Sequence, residues 1–260
     1  MKTLYLDCFS GISGDMFIGA LLDAGADPVH LREELSKLRI EDEYELRWEK
    51  VLKNGITCTK FDVILQKDNH SHVHTHEHDH THKHGHDHHH HDHRSYKDIV
   101  RLIEAAGFSE QVENTALQIF KKIGEAEGEI HGVPLEQVHF HEVGAVDSII
   151  DIVGAAIAFH QLGIEAVISS PIPVGKGKIR IDHGIYPVPA PATLEMLRGI
   201  PIERSEIRCE LTTPTGAALI AVLVEEFGSI PSMRIHTIGY GAGTKTFPDH
   251  PNALRVIIGE

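Results

Sequence analysis

Thirteen consecutive residues, from His139 to Asp151, hold two histidines and three acidic groups inside otherwise apolar sequence. His139 and His141 have the spacing that sets both rings on one side of an extended strand, with fixed geometry for holding a metal or carrying a proton. Glu142 points the other way in an ideal strand, and a bend at Gly144 would redirect it. Asp147 and Asp151 are four apart and share one helix face. A carboxylate at a helix start is favoured by the helix dipole, which accounts for Asp147 as scaffold. It does not account for Asp151, which falls deeper in an apolar helix. His139, His141, Glu142, Asp147 and Asp151 are therefore the candidate catalytic residues, for metal, phosphate-linked or acid–base chemistry. The bland alternative is a set of satisfied polar groups in a core. An Asp151 facing His139 across a cleft would mean a site, and an Asp151 sealed in the core would mean scaffold.

A second histidine pattern has a different character. His70, His72, His74, His76, His78, His80, His82, His84, His86, His88 and His90 occupy every even position of their run, joined by His89, His91 and His93. In an extended chain each His-x-His pair is a potential chelate, and nickel, zinc and copper favour imidazole nitrogen. Many overlapping pairs give capacity and exchange without one rigid geometry. Residues 68–94 are expected to be a disordered metal-binding insertion that delivers metal, because catalysis needs preorganised ligands.

Three further stretches are candidates for holding a cofactor or substrate. Asp7, Ser10, Gly11, Ser13, Gly14 and Asp15 form a strand–turn–helix whose amides could converge on an anion. The loop is neither a Walker A loop nor a dinucleotide fingerprint. Its aspartates would repel phosphate unless a cation bridged them, and a tight structural turn explains it equally well. Lys176 and Lys178, with Arg180 and His183, make a basic patch beside Gly175 and Gly177; a solvated loop is the plain alternative. Thr212, Thr213 and Thr215 precede a helix, where capping explains one or two of them. Cys8 could act as a nucleophile, but a buried strand cysteine is the commoner case.

The elements that must position these groups follow from periodicity. Thr3–Cys8 reads as a buried strand, followed by helices over about 15–24 and 28–38. Asn54-Gly55 supplies the turn of a β-hairpin over about 44–66. A capping-box variant at Ser95–Asp98 opens one helix, Ser109 caps another over about 110–130, and Val138–Val143 reads as extended. A buried helix spans Val146–Leu162. Beyond it come a strand at Val167–Ser169, a proline- and glycine-rich stretch, and a short helix at about 192–198. A strongly apolar helix then runs to about Phe227, and two strands lie at Arg234–Tyr240 and Leu254–Ile258. The fold class is α/β with a mixed sheet, α+β being the alternative, and residues 1–260 form one domain.

Composition narrows the function. The formal net charge is −14 over 260 residues, which disfavours nucleic acid and anionic membranes and suits cationic partners. Three scattered cysteines and no signal peptide point to a reducing cytoplasm, and no apolar run suits a membrane helix.

Five motifs in order complete the reading: Leu6–Met16, His139–Asp151, Pro187–Thr193, Glu210–Gly216 and Tyr240–Gly243. Together with the histidine-rich insertion after the hairpin, they resemble the LarC family of nickel-insertion proteins along the whole chain. The resemblance implies insertion of Ni(II) into pyridinium-3,5-bisthiocarboxylic acid mononucleotide, giving the nickel-pincer cofactor of lactate racemase. It further implies a CTP-dependent enzyme of the lyase class, with nucleotide and Mg or Mn held by a C-terminal portion. The family's complete form continues past Glu260, where this sequence stops. Expected partners are the mononucleotide substrate and that C-terminal portion, with room for a homo-oligomer. Forming a nickel–carbon bond requires loss of a ring proton, which His139, His141 or Glu142 could take. Two other readings compete: a nickel store or metallochaperone without chemistry, and a metal-dependent phosphate-ester hydrolase or transferase built on Asp7, Asp15, Asp147 and Asp151.

Overall fold

The computed structural model describes residues 1–66, 94–140, 145–181 and 184–260. The histidine-tract reading, and those for His141, Glu142 and His183, lie outside the described residues.

The chain opens with β1 (Thr3–Asp7), α1 (Gly14–Asp23) and α2 (Pro28–Leu35), the last extended by a 3-10 turn. The hairpin follows as β2 (Tyr44–Lys53) and β3 (Ile56–Leu65). Asn54 and Gly55 both take positive φ at its turn, as their types predict. Next come α3 (Tyr96–Ala106), α4 (Glu110–His131) and α5 (Val146–Gln161). Ser95 and Asp98 form a complete capping box on α3, and Ser109 caps α4. Then β4 (Ala166–Ser169), β5 (Ile172–Pro173), β6 (Lys178–Ile181) and β7 (Gly184–Pro187) lead to α6 (Pro191–Met196). The chain continues as β8 (Ile202–Glu203), α7 (Pro214–Leu223), β9 (Glu226–Phe227), β10 (Ile235–Ala242) and β11 (Ala253–Gly259).

Seven strands form one mixed sheet in the order β2-β3-β10-β11-β1-β4-β9. β1 lies parallel to β4 and antiparallel to β11, whereas β3 meets β10 through the single pair Thr59–Gly241. Alternation on the central strands turns Leu4, Leu6, Leu254, Val256 and Ile258 into the core shared with the helices. α1 lies directly on the backbone of β10: a Cβ at Gly241 would come within 1.8 Å of the Met16 carbonyl oxygen. That approach fixes where the N-terminus of α1 sits, and the site is built there. Among the described residues no helix is long and apolar enough to cross a membrane.

Three local expectations need correction. The apolar helix ends at Leu223, not near Phe227, because Val224 turns extended and Glu225 donates its N–H to the Val167 carbonyl, starting β9 alongside β4. Strand pairing there overrides helical patterning. The Val138–Val143 segment is no strand as far as it is described: a 3-10 turn at Leu135–Gln137 leads to one isolated bridge, Ser95–His139. Among the described residues its backbone pairs across to the α3 cap at Ser95 and Tyr96, and to no strand. The proline- and glycine-rich stretch holds paired strands that were not expected, β5 with β8 and β6 with β7.

Candidate active site

β1 delivers Asp7 and Cys8 to the loop that enters α1. Asp7 Oδ2 accepts two hydrogen bonds from the Arg255 guanidinium, one of them from Nε at 2.8 Å. Cys8 is fully buried, and burial pushes its thiol up to about 12 despite a bond to Ser169. It has no thiolate at neutral pH, so the nucleophile reading fails on desolvation.

The rest of the loop is pressed against the segment that opens α7. A Cβ on Gly11, which has φ +82°, would lie 2.1 Å from the Leu211 carbonyl oxygen, and the Thr213 N–H donates to the Ile12 carbonyl at 3.1 Å. Thr212 Oγ1 donates to the Pro173 carbonyl at 2.8 Å, while Thr213 caps α7 by accepting the Gly216 N–H at 3.2 Å. Thr215 is buried. The hydroxyls of Thr212 and Thr213, and Gly11, therefore have structural work. Ser10 is also buried, and its Oγ has no hydrogen-bond partner.

At the start of α1 the character changes. Ser13 takes the N-cap position, and its hydroxyl donates to the Asp15 carboxylate. Asp15 Oδ2 also accepts from Lys60 Nζ at 2.8 Å. Lys60 comes from β3, is only 8% exposed, and donates further to Asp62 at 2.7 Å and to the Phe61 carbonyl at 2.8 Å. The anion at the N-terminus of α1 is supplied from within the chain: α5 brings the Asp151 carboxyl beside Gly14, where the Asp15 backbone amide favours its ionised form. Gly14 leaves the space for it, since a Cβ there would sit 2.7 Å from both Cβ and Oδ2 of Asp151.

Three carboxyl groups, Asp15, Asp62 and Asp151, thus share the influence of one ammonium, and Asp147 adds its charge to that at Asp151. Asp151 keeps part of its surface exposed, yet protein packs closely around its carboxyl. That desolvation, followed by the charges of Asp15 and Asp147, raises its pKa well above the usual carboxylate range; Lys60 and the Asp15 amide oppose the rise without cancelling it. Burial pulls Lys60 down, but Asp15 and Asp62 outweigh it, so the lysine is held charged. A carboxyl that exchanges its proton nearer neutrality, beside groups of fixed charge, is suited to acid–base work.

The sequence-derived candidates are therefore divided. Asp15, Asp147 and Asp151 come together, with Ser13 and Gly14 shaping their surroundings. Asp7 is committed to Arg255. His139 is exposed, and its described contacts are with the α3 cap, through the Ser95 bridge and an electrostatic influence on Asp98. Its neighbour Phe140 is buried against Tyr96 and Phe120. Lys176 is paired with Glu206, and Lys178 stands exposed on β6. Among the described residues no group of three or more His, Cys, Asp or Glu side chains is placed to hold a metal ion. Sequence reasoning missed Lys60 and Asp62, because charged residues in an alternating strand read as a solvated face. The available signal was a lysine in the run Cys58-Thr59-Lys60-Phe61, where apolar neighbours lie on both sides.

Comparison with known proteins agrees with the motif reading. Residues 4–260 match the family described as nickel insertion protein. A pyridinium-3,5-bisthiocarboxylic acid mononucleotide nickel insertion protein of Geobacillus kaustophilus is 54% identical over 260 residues, covering 100% of this chain and 60% of the relative. Relatives of that same description from Desulfitobacterium hafniense and Clostridium kluyveri are each 50% identical. All of this chain is covered in both, against 59% and 62% of their lengths. The chain thus spans about 60% of the length of these relatives. No solved structure matches it.

Proposed function

This chain belongs to the nickel insertion protein family, and from that premise we propose that it acts in inserting Ni(II) into pyridinium-3,5-bisthiocarboxylic acid mononucleotide. The observation that carries the chemical part of this reading is the Asp151 carboxyl, held between Gly14 and the Asp15 amide with its pKa raised. When nickel bonds to a ring carbon, the carbon–hydrogen bond breaks and its electron pair becomes the nickel–carbon bond. Nickel stays Ni(II), the two thiocarboxylates supply sulfur ligands, and the ring proton needs an acceptor. Asp151 in its ionised form takes that proton; desolvation, followed by repulsion from Asp15 and Asp147, raises its pKa and makes it a stronger base than an ordinary carboxylate. Lys60 holds its charge and, with Asp15, keeps Asp151 in place.

The remaining parts of the reading are proposals of the same standing. The tract from His70 to His93 captures Ni(II) and passes it on as substrate. CTP with Mg or Mn is bound by the further portion that the relatives possess, and the product serves lactate racemase in the cytoplasm. Lys178 and Arg180 are the basic side chains proposed to meet the substrate monophosphate. The hydrolase reading loses its geometric basis, since Asp7 is engaged by Arg255 and does not join the other three aspartates. A pure nickel store would lose its function when residues 70–93 are deleted, whereas an insertase keeps activity at abundant nickel.

The test is to incubate the chain, supplemented with the C-terminal portion of a relative, with Ni(II), CTP, Mg and the mononucleotide. Mass spectrometry should then show a product that has gained nickel and lost the ring proton. Absence of nickelated product under these conditions would falsify the insertase assignment.

A further inference from the structure

Lys60 stands out among the described charged side chains for its burial and its three hydrogen bonds from one ammonium. Two bonds return to its own strand, to the Phe61 carbonyl and the Asp62 carboxylate; the third crosses to Asp15 on α1. Asp15 in turn is bound by Ser13 through its side chain, and its backbone amide favours the ionised form of the Asp151 carboxyl that lies against Gly14. The ladder between β3 and the neighbouring strand β10 consists of the one pair Thr59–Gly241. The Lys60–Asp15 bond ties the hairpin to the N-terminal end of α1, as the Thr59–Asp23 and Lys50–Asp23 bonds tie it to the C-terminal end.

We propose that Lys60 is the positioning residue of this site, clamping Asp15 between β3 and the α1 N-terminus so that the Asp15 amide can hold the Asp151 carboxyl against Gly14. The proposal rests on the reading of Asp151 as the proton acceptor, and adds how that acceptor is aimed. Lys60 does not touch the substrate. It neutralises Asp15, which leaves Asp151 as the carboxyl free to exchange a proton. The charged groups facing Asp151 are Asp15 from α1, Lys60 from β3 and Asp147 from its own helix. Their signs fix the expected responses: removing the ammonium raises the Asp151 midpoint, and removing the Asp15 carboxylate lowers it.

The experiment is a pH titration of the chain by nuclear magnetic resonance, following the Asp151 side-chain carboxyl carbon and the Asp15 backbone amide. In the parent, the amide signal should shift with the Asp151 midpoint, because the amide favours the ionised carboxyl beside it. In Lys60→Met the midpoint should move upward and the amide should cease to follow it. Asp15→Asn keeps the amide but removes the carboxylate that Lys60 binds. It should lower the midpoint and loosen the same coupling, and it serves if Lys60→Met does not fold. Asp7→Asn, in the separate Asp7–Arg255 pair, should change neither signal. A folded Lys60→Met or Asp15→Asn protein with the parent's midpoint and amide response overturns the proposal. Insertion assays separate this result from the acid–base reading: Lys60→Met should slow insertion ~10-fold or more. If instead Asp151→Asn inserted nickel at the parent's rate while the titration behaved as expected, the acid–base reading would fall and the clamp would stand.

Discussion

Asp7 and Asp15 lie at the two ends of one loop, and each is bonded to a basic side chain, yet their surroundings differ in kind. Asp7 has a full partner in Arg255, whose guanidinium donates to it twice, and no surplus charge remains to be shared. Asp15 shares its lysine with Asp62 and lies beside Asp151, so the cluster carries more carboxyl groups than cations. A balanced pair fixes the end of a strand. An unbalanced cluster leaves one carboxyl whose protonation is in play, and desolvation decides that it is Asp151.

The contrast is tested most severely at Asp151. Asp151→Asn keeps an acceptor for the Asp15 amide but cannot take up a proton, and should slow insertion by about 10²–10⁴-fold. The same change should stabilise the fold at alkaline pH. With its folded pKa raised, Asp151 contributes stability below its unfolded pKa of about 3.9, and that contribution is lost as pH rises through the folded value. Denaturation between pH 4 and 9 should show the variant gaining on the parent as pH rises. Lys60→Met should cost about 1.5–3 kcal/mol in urea unfolding, because it leaves the half-buried Asp15 carboxylate without its cation. Gly14→Ala, which pushes a methyl group into the Asp151 carboxyl, should cost about 1–3 kcal/mol and lower the insertion rate. Asp7→Asn should cost no more than about 1 kcal/mol and leave insertion unchanged. A large loss of insertion in Asp7→Asn would erase the distinction between the two aspartates.

Much of the fold was legible because local chemistry and tertiary structure agree. Asn54-Gly55 gave the hairpin, Ser95 and Asp98 gave the α3 cap, and the alternation of β1 gave a buried strand. The end of α7 was not legible, since pairing of Glu226 and Phe227 with β4 is a long-range event that helical periodicity does not register. Asp151 was legible for a sound reason: a carboxylate in the middle of an apolar helix calls for a partner. Its partners were not. The backbone of α1 and a lysine from β3 reach it only because α1 packs on β10 and the hairpin closes over the helix start. His139 shows the converse, where proximity in sequence suggested one site but the short segment is paired with the α3 cap. The glycines of the β1–α1 loop suggested an anion cradle, whereas Gly11 and Gly14 make room for Leu211 and Asp151.

The most direct test of the central claim, that Asp151 is the proton acceptor, is the pH dependence of single-turnover nickel insertion by the parent and by Asp151→Asn, with the C-terminal portion of a relative supplied to each. A base must be ionised to act, so the parent's rate should climb as pH rises through the raised Asp151 pKa and then level off. The variant should be slow and should lack that climb. A variant that retained the parent's rate and pH profile would contradict the account.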